Sequence, residues 1–174
     1  MLINLSDVFS QKEKRLEFEA SFEAESYEAS FGDFKVKDQK PFVFDIVNSE
    51  KGRASVKVSG EITFEATCDK CLEDAYITIP VSFDGYLSSP DYEIYDEEDD
   101  SRDFMDDYEL DTEALIYNEI TVNWPVRILC REECKGLCPV CGQNLNVRDC
   151  GCDTFVPDPR MAVLSDIFNS NKEV

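Results

Sequence analysis

Six of the eight cysteines of this 174-residue chain lie in one stretch, CREECKGLCPVCGQNLNVRDCGC, residues 130–152. Thiols bunched so closely can form disulfides, a redox centre or a metal site. The chain has no histidine. A metal site must therefore be all-cysteine or borrow a carboxylate, and histidine-based acid–base or nucleophilic catalysis is excluded. Cys138-Pro-Val-Cys141-Gly142 has the form of a zinc knuckle. A C-x2-C that turns back on itself presents two thiolates at the separation a tetrahedral ion needs, with proline setting the turn and glycine letting the chain reverse. Cys130 and Cys134 can complete the set from one helical turn, and Cys150 and Cys152 can do so as an extended pair. Spacing does not decide between them. The pair left over is free to meet Cys68 and Cys71, the ends of a second C-x2-C. One zinc site drawn from Cys130, Cys134, Cys138, Cys141, Cys150 and Cys152 is the preferred reading. Two zinc ions, the second site recruiting Cys68 and Cys71, is the alternative.

The other uses of cysteine fit less well. The N-terminus has neither a basic segment nor a long apolar one, and no apolar run approaches the roughly 18–20 residues of a membrane span. A cytoplasmic protein is expected, and cytosolic thiols stay reduced, which argues against structural disulfides. A thioredoxin-like role for Cys68-Asp-Lys-Cys71 needs a following helix N-terminus to lower the first thiol's pKa. Here Leu72-Glu73-Asp74 and a strand pattern follow instead, and the nearby carboxylates disfavour a free thiolate. No phosphate-binding glycine loop, dinucleotide fingerprint or nucleophile elbow occurs. With no catalytic constellation present, a non-enzyme is expected.

The elements that must position these cysteines are mostly strands. Apolar residues alternate at Leu16–Ala24, at Phe42, Phe44 and Ile46, from Val56 to Cys68, and again at Ile77, Ile79, Val81 and Phe83. Period-two alternation marks antiparallel strands with one buried face. Turns are expected at Gly32-Asp33, over Asn48 to Gly52 and over Cys68–Asp74, which sets the first C-x2-C at a hairpin apex. Asp111 suits a helix N-cap, Leu115, Ile116 and Ile120 give that helix an apolar stripe, and Trp124-Pro125 stops it. A second short helix is expected over DPRMAVLSDIF, capped by Asp158. The resulting class is α+β: an N-terminal antiparallel β-sheet or open barrel-like domain, one or two helices, and a small C-terminal Cys-rich zinc module. The divisions are a β domain over 1–90, an acidic loop over 91–110, a helix over 111–124, and the zinc module with its C-terminal helix over 125–174.

The formal charge of −21 is unevenly distributed. Residues 58–123 hold two Lys/Arg against 20 Asp/Glu, whereas residues 1–57 come to −2 and residues 124–153 balance at four against four. The acidity is one central block, densest over 91–109. The segment holding most of the cysteines is neutral, so its cations are not overwhelmed locally.

The strings CDKCLE, WPVRILC, CKGLCPVCGQNLN and the closing DPRMAVL resemble the YceD family of large ribosomal RNA accumulation proteins, over about residues 50–168. The resemblance implies a non-enzymatic role in large-subunit ribosome biogenesis, needed for accumulation or processing of the large rRNA, with no membrane and no small-molecule substrate. It carries over to Cys68 and Cys71 directly, and to Cys130–Cys152 only as a set. Two modes of action are then expected. In the first, the chain binds rRNA or a precursor particle through Arg127, Arg131, Lys135 and Arg148, assisted by Lys35, Lys37, Lys40, Arg53 and Lys57. In the alternative, residues 91–109 make it an acidic chaperone or escort for a basic large-subunit ribosomal protein.

Overall fold

The structure, a computed structural model, describes residues 1–92 and 101–153. Its spine is a long hairpin. Strands β6 (Arg53–Thr67) and β7 (Asp74–Ser88) pair in unbroken antiparallel register from Arg53↔Ser88 to Thr67↔Asp74. The register follows from the alternation: Val56, Val58, Ile62 and Phe64 on one strand and Ile77, Ile79 and Val81 on the other all bury on one face. A slip of one residue would turn every one of them outward.

The other edge of β6 is shared. β5 (Phe42–Glu50) pairs with its first half and β4 (Gly32–Gln39) with its second. β2 (Arg15–Ala20) extends the sheet from β5, and β3 (Ser26–Ala29) from β4. Among the described residues no ladder joins β2, β3 and β7 to one another, so the antiparallel sheet is open. Gly60 lies where the ring of buried Phe42 crosses β6. A Cβ there would fall 2.3 Å from Phe42 Cδ1, so the ring fills the space a side chain would need.

The alternation at Leu16–Ala24 is not one strand. β2 stops at Ala20, and Phe22 is held by a side-chain amide instead. Its N–H donates to Gln39 Oε1 at 3.0 Å, and Gln39 Nε2 donates to its carbonyl at 3.0 Å. The chain can thus turn into β3 while Phe22 remains buried. β4 carries only Phe34 and Val36 on its inward parity, too short a signal to stand out in the sequence.

A second, three-stranded sheet joins the first residues of the chain to the stretch just before the main helix. β1 (Leu2–Asn4) pairs with β9 (Glu109–Asp111), which forms a hairpin with β8 (Met105–Asp106). Short helix α1 (Ser6–Ser10) follows β1, and α2 (Ser101–Phe104) precedes β8. Helix α3 (Thr112–Val122) starts where its cap dictates: the Asp111 carboxylate accepts from the N–H groups of Glu113 and Ala114 at 3.0 and 3.1 Å. Its Leu115, Ile116 and Ile120 are fully buried. Tyr117 Oη donates to the carbonyl of Glu28 at 2.7 Å, and Tyr27 Oη pairs with Thr121 Oγ1 at 2.9 Å, so the β3–β4 hairpin is tied to α3. The helix expected over 158–168 lies outside the described residues. Among the described residues, no helix is long and apolar enough to cross a membrane.

Candidate metal centres

The β6–β7 hairpin carries Cys68 and Cys71 at its tip, and the chain after α3 wraps around that tip. Asp69 N–H donates to the carbonyl of Ile128 at 2.8 Å, and Ile128 N–H donates back to Asp69 Oδ2 at 2.7 Å. Further on, Leu137 N–H donates to the carbonyl of Lys70 at 3.0 Å, and Lys70 Nζ donates to the carbonyl of Cys134 at 3.2 Å. Gly136 makes the close approach: with φ +78 it takes a left-handed conformation, and a Cβ there would sit 2.9 Å from the Lys70 carbonyl oxygen.

This wrapping brings Cys130 and Cys134 to Cys68 and Cys71. The four sulfurs lie within 4.8 Å of one another, with Cys68–Cys134 at 3.8 Å and Cys71–Cys130 at 3.5 Å. Four thiolates around an ion at a Zn–S distance of about 2.3 Å would be about 3.8 Å apart. Cys68, Cys71 and Cys134 are buried and Cys130 is half-buried. We call this the inner cluster.

Cys138, Cys141, Cys150 and Cys152 form an outer cluster, again with all sulfurs within 4.8 Å. It is built almost wholly from local chain. Cys138 N–H donates to the carbonyl of Gln143 and Gly142 N–H to that of Cys138, at 2.8 and 2.9 Å. Here Cys138 is buried, Cys141 exposed, and Cys150 and Cys152 half-buried. All eight cysteines are free thiols. The six cysteines of 130–152 are therefore divided: Cys130 and Cys134 join the hairpin pair, while Cys150 and Cys152 join the knuckle. This is the two-cluster arrangement that spacing left as the alternative to one site.

The two knuckles share a backbone device. After the second cysteine of each, one residue turns left-handed, Leu72 at φ 59 and Gly142 at φ 71. Its N–H reaches the carbonyl of the first cysteine, 2.9 Å in both. The turn aims amides at sulfur. Burial opposes ionisation of Cys68, but N–H groups of Cys130, Cys71 and Lys70 outweigh it and bring its pKa down to about 6. Cys138 is lowered to about 7 by the N–H groups of Cys141 and Val140. Within the same clusters, others move the opposite way. The Glu73 N–H pulls Cys71 down, but burial and the thiols of Cys68, Cys130 and Cys134 push it up to about 12. The thiols of Cys141 and Cys150 push Cys152 to about 12. Each cluster thus has a sulfur prepared to carry charge and another that cannot while its neighbours do. A cation among them resolves that conflict. Both clusters can hold a metal ion.

Three residues outside the cysteines shape the inner cluster: Asn146 and Lys70, to which the sequence assigned no role there, and Asp69, expected only as a carboxylate that disfavours a free thiolate. Asn146 Nδ2 donates to Cys134 Sγ at 3.3 Å and is the leading cause of that thiol's lowered pKa. Its Oδ1 accepts from the Lys135 N–H at 2.8 Å, which fixes the amide's orientation. Asp69 and Lys70 make the hairpin contacts above. The signal for Asn146 was its place in the NLN that follows the knuckle, where an Asx turn links it to Asn144 Oδ1 at 2.9 Å.

Of the cations expected to meet a partner, Arg127, Arg131, Lys135 and Arg148 are all exposed. Arg127 and Arg131 make no ion pair among the described residues. Lys135 reaches Asp149 at 3.7 Å, and Arg148 hydrogen-bonds the Gln143 side chain at 3.3 Å. On the sheet face the assisting cations are largely engaged. Lys37 pairs with Glu65 at 3.1 Å, Lys57 with Asp84 at 2.9 Å and Lys40 with Glu61, while Arg53 stacks 4.4 Å above the Tyr86 ring. Residues 93–100 of the acidic run 91–109, which hold six of its 11 Asp/Glu, lie outside the described residues.

Comparison with known proteins gives one finding. The family described as large ribosomal RNA subunit accumulation protein YceD matches residues 56–168. No curated protein and no solved structure matches. The matched stretch runs from within β6 through both cysteine clusters, so it spans every ligand candidate.

Proposed function

The chain belongs to the YceD family, and from that premise we propose that it is a non-enzymatic cytoplasmic factor that binds large-subunit rRNA or its precursor particle. The family's description already implies a role in large-subunit rRNA accumulation. The finer reading rests on one observation: the inner cysteine cluster joins a neutral segment to the hairpin tip, the outer cluster gathers the chain that follows, and four exposed cations lie on that segment. Zinc is the metal this reading assigns. All-thiolate tetrahedral sets suit it, and a single small ion accounts for sulfurs this close. The metals act as scaffold, since a segment this small has no hydrophobic core of its own to fix it. Arg127, Arg131, Lys135 and Arg148 then contact phosphate. Three of the five sheet cations, Lys37, Lys40 and Lys57, already pair with carboxylates, which favours the metal-held segment over the sheet as the RNA-facing surface.

Charge reversal tests this. In Arg131→Glu/Lys135→Glu/Arg148→Glu, which leaves every cysteine in place, association with precursor large subunits should be lost while zinc content is kept. Undiminished association would overturn the assignment. The escort reading draws its support from the charge of −21, and it would gain if precursor binding survived while a basic ribosomal protein co-purified.

A further inference from the structure

Beside the inner cluster lies a cleft that neither metal binding nor rRNA contact uses. It has a volume of about 620 Å³ and lies between the turn joining β3 to β4 and the Trp124–Ile128 segment. Its walls are aromatic. Trp124 packs against Phe34 at 4.5 Å, Phe31 at 5.6 Å and buried Phe64 at 5.5 Å between ring centroids, and stacks on buried Tyr27 at 5.0 Å. The back of the cluster is therefore fixed, while its front is open to solvent: Phe31 is 60% exposed and Val126, at the rim, 99%. Large apolar groups held rigidly in water are the signature of a contact surface.

The cleft's charge selects the partner. Asp69 is the charged residue that lines it, together with Thr67, Thr121 and apolar side chains. One carboxylate oxygen, Oδ2, is fixed by the Ile128 N–H. Oδ1 makes no hydrogen bond among the described residues. A fixed carboxylate beside rigid aromatic faces repels phosphate and attracts a cation with an apolar stem. We propose that this cleft takes a lysine or arginine side chain from a basic protein segment, its stem against Phe31 and Trp124 and its charge toward Asp69. The chain's −21 charge draws such a segment in from a distance, and the cleft then fixes one side chain of it. The inference goes beyond the rRNA reading and concerns a different surface.

Trp124 is the only tryptophan, so its emission reports on the cleft. The test titrates the full zinc-loaded chain with a short synthetic arginine-rich peptide at physiological salt, where distant charges are screened. The peptide should change the Trp124 emission saturably, and Phe31→Ala and Asp69→Asn should each weaken binding by about fivefold. Phe31 is exposed at a turn and the asparagine retains an acceptor for the Ile128 N–H, so both variants should fold. Asp84→Asn removes an equal charge from the sheet face and should leave affinity within about twofold. Equal losses for Asp69→Asn and Asp84→Asn would overturn the proposal in favour of general attraction. So would oligouridine binding that shifts Trp124 emission and is lost in Phe31→Ala, which would make the cleft a base-stacking site. Either failure leaves precursor-particle binding through Arg131, Lys135 and Arg148 to be judged by itself.

Discussion

Cys71 Sγ and Cys130 Sγ lie 3.5 Å apart, though 59 residues separate them in the chain. That contact fixes the start of the C-terminal segment to the tip of the β6–β7 hairpin. The hairpin acts as a post, because its fifteen paired positions make the tip rigid relative to the sheet. The inner cluster therefore links two parts of the fold, whereas the outer cluster organises only the chain between Cys138 and Cys152.

The two clusters should differ in what their loss does. Wild-type protein should contain two zinc ions, measured by elemental analysis. Cys130→Ser should retain one and lower Tm, because the segment is released from the hairpin and the nearly buried Ile128 is exposed. Cys141→Ser should also retain one, but the melting of the β-sheet should be unchanged. A single ion in the wild type would contradict the two-cluster account.

Asn146 should tune the inner cluster from outside it. Removing its donation to Cys134 Sγ in Asn146→Ala leaves all eight thiols intact, yet zinc retention at the inner cluster should fall by about tenfold in competition with a chelator. The Cys130→Ser variant provides the control: there the remaining outer zinc should be insensitive to Asn146→Ala.

Leu72 and Gly142 occupy the same left-handed position in their two knuckles, and only one of them is glycine. A leucine at φ 59 costs about 1 kcal/mol in backbone strain. Its side chain is 67% exposed, so little packing is lost without it. Leu72→Gly relieves that strain, the greater freedom of glycine in the unfolded chain offsets part of it, and the zinc-loaded protein should gain about 0.5 kcal/mol in denaturant unfolding. Destabilisation would mean that the side chain contributes more than its exposure suggests.

The sequence made the long hairpin easy to recognise because burial and alternation coincide there: Val56 to Cys68 and Ile77 to Phe83 show the same period-two signal, and the cysteine pair falls in the turn between. The α3 start was similarly legible from Asp111. By contrast β1 is three residues long and pairs with a strand more than a hundred residues away, a contact with no local periodicity to announce it. The division of the cysteines was hidden for a related reason. Cys130 and Cys150 both have acceptable spacing to the knuckle, and only the wrapping of Ile128, Gly136 and Leu137 around Lys70 and Asp69 decides between them. The aromatic cleft also arises from distant residues: Phe31 belongs to a turn and Trp124 to a helix end.

The central claim is that this chain acts on large-subunit rRNA or its precursor particles, and sedimentation tests it most directly. A native extract run at low salt should place the protein with free or precursor large subunits. Raising the salt should release it, with an apparent log–log slope of about −3, as expected for four phosphate contacts. If the protein instead stays at the top of the gradient, bound to a basic ribosomal protein at every salt concentration that preserves precursors, the rRNA account is wrong and the escort reading replaces it.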